Sequence, residues 1–550
     1  MIALAAVAVR AGYLSESLWV DELHSAWTIS GSWSEVASRA AQGNNLPSYF
    51  WLLHAVSSIA GHSESALRLP SLGMSLILLV GMAWTVRRWT NNPLAGWIAA
   101  ACMMLDRDFI FFSVEARPYA AVQLVTAGLL AITPSLALAP NLTHRLLAVA
   151  LQAAGFYLHP TAILTWPAVM LARLVCVRLR PIGQRPGFRQ TSLEIAIDSA
   201  ILVVALLPAS PVLLEIFQRR NNWQSIPTLA PSSASLTRAV RLLHLGIYAL
   251  VPVTGWLATL FVECCCASPS SSTGTPTVPT NASATLSSPE DDGSRQQGEL
   301  LRAALLSCWL WGLVPLGLVL LTTRFGWAPL LMLRYIWSAK LGVLCGASIA
   351  VTSLPSRICR TIASIVLVVC VAWQLGPATL GPERICERWR EALTTISQLD
   401  PHGRDVILVR SKLIEAGYLR PVHTTPAIDN AADAEDGANA DDRRLQEWRT
   451  YLAFPLATRV YPLPHSAQQI LPLNNDLAPS LSETERQLLD QAPAIWLVAR
   501  GSRDETRSVL EAIERQLHGP ENSWHRSVDS SGPCLHLVRW TRGAARVSHE

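Results

Sequence analysis

The chain has 550 residues, half of them hydrophobic and only 15% charged, where soluble proteins carry roughly 25%. The shortage is uneven. Residues 380–550 hold 20 basic and 24 acidic side chains, leaving 24 basic and 16 acidic in residues 1–379. That split predicts a polytopic α-helical membrane domain over 1–379, with net charge +8, and a soluble domain over 380–550, with net charge −4. It excludes a single soluble enzyme and a disordered chain, and the overall charge of +4 carries no nucleic-acid signal.

In chain order, residues 1–14 are apolar but too short to span, and they read as the outer part of a first span. No basic residue precedes them and Arg10 interrupts them, which fits a cleavable signal peptide poorly. Further apolar runs lie near 69–86, 94–105, 119–138, 145–159, 161–177, 193–213, 242–262, 301–321, 329–352 and 361–379, about eleven spans in all. The basic residues Arg87, Arg88, Arg178, Arg180, Arg185, Arg189, Arg295, Arg302, Arg357 and Arg360 fall on one side if the spans alternate. By the positive-inside rule that side is the cytoplasm. The loops at 15–68, 106–118, 214–241 and 322–328 then face outward, together with the tail. Residues 267–298, rich in Ser, Thr, Pro and Gly, read as a cytoplasmic low-complexity linker.

The 11 cysteines suggest no disulfide framework, and no C-x-x-C pair argues for zinc. Asn141 and Asn281 stand in N-x-S/T triplets on the cytoplasmic side and read as chance. Only two of the 44 basic residues are lysine, a bias that suggests a GC-rich bacterial genome and hence an inner membrane. The tail reads as an extracytoplasmic α/β domain. Its strand candidates are 406–409, 494–500 and 534–540, with a helix after 500 that stops at Gly519 and a mobile acidic loop at 426–445.

The polar chemistry gathers in the outward loops. LWVDELHSAW (18–27) puts the adjacent carboxylates Asp21 and Glu22 at the membrane surface. Repulsion within such a pair raises one pKa, as a general base requires; taken alone, the pair equally suits a solvated end of a span. DRDFIFFSVEARPYA (106–120) supplies Glu115, Arg117 and Tyr119, where an arginine at headgroup level can grip a phosphate or simply snorkel. FYLHPTA (156–162) breaks between spans at His159. Arg334, Tyr335 and Lys340 sit inside a late span, where intramembrane cations are functional candidates by default.

Taken together and in this order, these segments resemble the polyprenyl-phosphate-dependent glycosyltransferases of the membrane C-type fold (GT-C), nearest the protein O-mannosyltransferase and aminoarabinose-transferase-like families. LWVDELHS resembles their W-x-D-E-x-x-S motif and NNLPSYFWLLH their P-P-L-Y-Y-x-L-L-H segment, with Leu46 where a proline is common. ALRLPSLGMSL is similar to R-x-P-S, SVEARPYA to S-x-E-A-R-x-Y, and LRYIWSAK to a late R-Y element without its usual following proline.

The resemblance implies 11 to 13 spans, an outward soluble domain, and inverting transfer of a sugar from a polyprenyl-phosphate donor to an acceptor hydroxyl. Asp21 would be the general base and Glu22 its support. By the motif matches Arg117 and Arg334 would serve the donor phosphate, with Tyr335 as a hydrogen-bond donor, and Lys340 and His159 join them by position alone. His24, His54, Glu115 and Tyr119 would support the acceptor and the loops. No cofactor is required, although Asp21 and Glu22 could recruit a divalent cation. The expected partners are the lipid-linked sugar, membrane lipid and an unspecified glycan, lipid or protein acceptor. A transporter or flippase of a lipid-linked or envelope glycan is the alternative, and a non-catalytic glycan-binding envelope protein a third.

Overall fold

The computed structural model describes residues 2–179, 187–218, 289–325, 332–373, 375, 387–413, 416, 445–475, 483–517, 524–532 and 534–542. The expected span at 242–262 lies outside the described residues. So do Arg180, Arg185, Asn281 and Gly519, nearly all of the acidic loop at 426–445, and residues 267–288 of the linker. Two compact units form: Met1–Ala11 with Pro70–Leu380, and Gly12–Leu69 with Gly381–Glu550. The first outward loop, which the sequence assigns to the membrane domain, therefore folds with the tail.

The first unit is helical. Among the described residues five helices are long and apolar enough to cross a membrane: Glu64–Thr90, Tyr119–Leu138, Phe188–Glu215, Arg295–Arg324 and Arg334–Thr352. Shorter apolar helices cover Ile2–Ala11, Pro93–Leu105 and Pro160–Cys176, and Leu142–Leu158 and Arg357–Trp373 are helical as well. Local chemistry sets several of their ends. Asn92 accepts from the Leu94 amide at 3.0 Å ahead of Pro93, a proline start that loses no hydrogen bond. Asn141, in the triplet read as chance, caps Leu142–Leu158 by accepting from the His144 amide at 2.7 Å.

Close helix contacts rest on absent side chains. A Cβ on Gly342 would lie 2.5 Å from the Cys308 carbonyl oxygen, and one on Gly96 would lie 2.3 Å from that of Ala83. Small residues admit this approach where helices have only packing to hold them together in lipid. Trp311, Trp337, Leu341 and Leu344 fill the surrounding core. Two expectations are corrected here. Residues 289–298, read as linker, belong to the helix Pro289–Arg324, whose apolar stretch begins one register later. Residues 106–118, read as an outward loop, include the helix Arg107–Ser113 and are almost wholly buried.

The second unit carries three helices from the first loop, Val20–Thr28, Trp33–Gln42 and Ser48–Ala60. The tail adds a five-stranded mixed sheet. Its strands are β1 (Val406–Arg410), β2 (Ile470–Pro472), β3 (Ala494–Arg500), β4 (Trp524–Ser531) and β5 (Leu535–Arg542), in the order β2-β1-β3-β5-β4. β1 runs parallel to β2 and β3, Leu408 facing Leu471 and Leu497. β3 and β5 pair antiparallel from Ala494↔Thr541 to Arg500↔Leu535.

The amphipathic helix Arg503–Leu517 buries Val509, Leu510 and Ile513 against this sheet's core. The strand signals at 406–409, 494–500 and 534–540 mark its three inner strands. The edge strands β2 and β4 escape the sequence because one is three residues long and the other is polar, as edges tend to be. One cysteine also departs from the reading: Cys534 is disulfide-bonded.

Candidate active site

In the second unit, Asp21 and Glu22 occupy the first turn of Val20–Thr28, where the helix dipole favours carboxylates. Asp21 is half-buried and Glu22 fully buried. Arg68 grips Glu22 bidentately, Nε to Oε1 at 2.8 Å and Nη2 to Oε2 at 2.5 Å, with both side chains fully buried. Its Nη1 donates to the carbonyls of Glu16 at 2.7 Å and Tyr13 at 3.0 Å. Arg68 thus supplies the counter-charge to Glu22.

The start of that helix is itself held. The Val20 amide donates to Glu387 Oε2 at 2.9 Å, and the Leu18 amide to the Tyr461 hydroxyl oxygen at 2.9 Å. Glu387 is fixed in turn by Trp389 Nε1 at 2.8 Å and Arg500 Nε at 2.6 Å. Burial, with the backbone contact to Leu18 opposing it, drives the Tyr461 hydroxyl pKa upward, so the phenol stays protonated.

His24 and His54 occupy separate settings. His24 sits among the rings of Trp27, Phe50, Tyr451 and Phe454, with centroids 5.4–6.1 Å away. A Cβ on Gly43 would fall 2.3 Å from its Nε2, so only glycine fits there. His54 Nδ1 lies 2.8 Å from the Ile29 carbonyl, under the Trp33 ring. Arg68 engages both oxygens of Glu22, one of the two carboxylates expected to recruit a divalent cation. Among the described residues no three His, Cys, Asp or Glu groups come together.

In the first unit, three separate segments converge. The rings of Tyr119 and His159 lie 5.9 Å apart, and those of His159 and Tyr335 5.7 Å apart. The Arg334 guanidinium lies 5.2 Å from the Tyr335 ring centre, and Arg117 and Arg334 are both within electrostatic range of His159. Backbone chemistry explains the convergence. His159 ends one helix and caps the next turn, Nδ1 accepting from the Thr161 amide at 3.3 Å and lying 2.8 Å from Thr161 Oγ1. Ser71, the serine of the R-x-P-S match, donates to the Glu115 carbonyl at 2.5 Å and so fixes the segment that carries Arg117. Glu115 is buried at its base.

Lys340, expected at the donor phosphate, is held by two carboxylates of the segment after Leu105. Its Nζ lies 2.7 Å from Asp106 Oδ2 and 2.5 Å from Asp108 Oδ2, with no exposure of the ammonium. Asp106 Oδ1 also caps Arg107–Ser113, accepting from the Asp108 and Phe109 amides at 2.9 and 3.1 Å. A buried ammonium in an apolar segment needs paired counter-charges, and these two carboxylates supply them. Arg10, fully buried and donating to Ser113 Oγ at 2.7 Å, adds its charge beside Asp106.

Sequence reasoning missed Asp106, Asp108, Glu387 and Tyr461 as functional supports. A D-x-D pair at the end of an apolar run was the legible signal for the first two. For the last two no signal existed, because their partners lie more than 360 residues away. Arg68 was legible only as a motif letter.

The backbone as a whole resembles ArnT from Cupriavidus metallidurans in its apo state. The TM-score is 0.51 and the identity 12%, over 98% of this chain and 96% of that one. The chain has the GT-C fold. A second structure of ArnT, bound to undecaprenyl phosphate, aligns over 98% of the chain at a TM-score of 0.38, too distant to argue from. The sequence itself matches no protein-family model and no curated protein. The GT-C backbone agrees with the fold class that the loop motifs imply, and five described helices are long and apolar enough to cross a membrane.

Proposed function

We propose that the chain is an integral-membrane glycosyltransferase that moves a monosaccharide from a polyprenyl-phosphate donor to an acceptor hydroxyl on the outer face of the cytoplasmic membrane. The observation that carries this reading is the gathering of Arg117, Tyr119, His159, Arg334 and Tyr335 from three distant segments of the first unit. Two guanidiniums with phenol and imidazole donors suit a donor phosphodiester whose phosphate gains charge as the glycosidic bond breaks and it leaves as a monoester. A lipid phosphate is acidic enough to leave without a general acid, which matches the cationic cluster.

The acceptor oxygen attacks the anomeric carbon from the face opposite the phosphate, so configuration inverts. Asp21 takes the hydroxyl proton as the new bond forms. Glu22, locked to Arg68, holds the first helical turn so that Asp21 keeps its orientation. An outward location for the tail is supported by the disulfide at Cys534, a bond that persists in oxidising compartments.

The deciding experiment measures sugar release from a panel of polyprenyl-phosphate sugars by the wild type and by Asp21→Asn in lipid nanodiscs. Loss of a general base should lower turnover by roughly 10²–10⁴-fold while donor binding persists. Equal turnover in both would remove Asp21 from the reaction. Vectorial movement of an intact lipid-linked glycan, without sugar release, would replace the transferase with a flippase.

A further inference from the structure

The second unit contains a groove of about 1150 Å³, lined by Ser30 and by tail residues between Leu445 and Gln491. That exceeds the ~300–1,000 Å³ of clefts for small molecules, so it suits an extended ligand rather than one sugar ring. Its lining mixes aliphatic side chains with four glutamines, Gln446, Gln468, Gln487 and Gln491, all exposed and able to turn an amide inward. Amides and hydroxyls over a floor of Leu and Ala match the alternating hydroxyl and C–H faces of a saccharide.

Thr458 and Arg449 point the same way. Thr458 is 4% exposed and lines the groove, yet its Oγ1 has no hydrogen-bond partner among the described residues, and neither has Arg449 Nε. Buried polar atoms left unpaired are costly, and a hydroxylated ligand satisfies them. The charges on the lining do not cancel. Arg449 is matched by Glu485 at 2.8 Å and His465 lies 2.9 Å from Asp400, which among the described lining residues leaves the exposed Arg459 as the surplus positive charge.

Ser30 links the groove to the reacting end. It lies in the turn that follows Val20–Thr28, nine residues beyond Asp21, on the order of 14 Å along the chain at helical rise. Arg39 Nη1 fixes that corner through Ser30 Oγ at 2.8 Å and the Trp27 carbonyl at 2.9 Å.

We infer that this groove binds the non-reacting portion of an anionic oligosaccharide acceptor, whose remaining hydroxyl extends toward Asp21. The link to Asp21 rests on the proposed transferase reading; the saccharide site stands on the groove itself.

The test uses the full-length protein in zwitterionic nanodiscs, with saturation-transfer NMR of two probes, trigalacturonic acid and neutral maltotriose. Trigalacturonic acid should bind at least tenfold more tightly than maltotriose. Arg459→Glu and Thr458→Val should each weaken it at least tenfold. Should the buried Thr458→Val fold poorly, the exposed Arg459→Glu still decides the outcome. No binding of either probe, or equal binding by wild type and Arg459→Glu, would overturn the site; equal binding of the two probes would overturn its preference for anions. Donor turnover is measured separately on the wild type. Saccharide binding without turnover would retire the reaction and keep the groove, whereas turnover without binding would do the reverse.

Discussion

Replacing Lys340 with methionine removes the cation that Asp106 and Asp108 share. Both carboxylates lie within 2.7 Å of the ammonium, and the three side chains are between 0% and 6% exposed. Phe109, Phe112 and Trp337, neighbours of these groups in sequence, pack on one another with ring centres 4.9–5.4 Å apart. Breaking a buried ion pair from one side costs about 3–5 kcal/mol, chiefly because the abandoned charge stays desolvated. Methionine matches the lysine stem, so little of that cost comes from lost packing. The variant should therefore unfold about 3–5 kcal/mol more easily in a denaturant titration in mixed micelles.

Adding Asp108→Asn should restore most of the loss, since replacing both members of a buried pair is often nearly neutral. Asp106 is left intact in that double variant because it also caps Arg107–Ser113 and lies within range of Arg10. A cost below about 1 kcal/mol for Lys340→Met, or a double variant no more stable than the single one, would refute the reasoning. Either result would return Lys340 to the pool of phosphate ligands.

Arg68→Met should cost a comparable 3–5 kcal/mol or so and depress sugar release along with stability, because it strands Glu22 beside Asp21; full activity in a stable Arg68→Met would show that the clamp does not orient Asp21. Replacing Tyr461 with phenylalanine removes the hydroxyl that accepts from the Leu18 amide and also meets Ser17, Glu64 and Arg390, and should destabilise by about 1–2 kcal/mol, read in the same titration; no change would mean that these groups find water. His536 in β5 has its pKa lowered by burial, only partly offset by the Gly501 backbone contact. The unfolded chain then binds the extra proton, so stability present above the ordinary histidine pKa falls as pH drops below about 6.5. Melting midpoints between pH 7.5 and 5 should show that fall, and His536→Asn should flatten it; an unchanged slope would assign the effect to other groups.

Much of the fold is legible in the chain because its signals are local and additive. A run of twenty apolar residues can satisfy its backbone in lipid only as a helix, so the runs at 69–86, 119–138, 193–213, 301–321 and 329–352 announce themselves. Uniformly buried strands such as 406–410 and 494–500 are continuous apolar words, and an amphipathic helix such as 503–517 carries its own period. The site residues Arg117, His159, Arg334 and Tyr335 were also nameable, since polar groups at span ends are few and each needs a reason.

Pairing was not legible. Sequence counts charges but does not say which cation meets which carboxylate, and in a low-dielectric interior that choice sets each group's role. Lys340 and Arg334 look alike as intramembrane cations, yet Lys340 is bound by two aspartates 230 residues upstream while Arg334 lies against Tyr335. Asp21 and Glu22 are adjacent letters, and only the fold shows that Arg68 arrives at Glu22. The loop of residues 12–69 belongs with the tail for the same reason. Its hydrogen bonds to Glu387 and Tyr461 close loops of hundreds of residues, and no local pattern records an interaction whose partner is chosen by the folded chain.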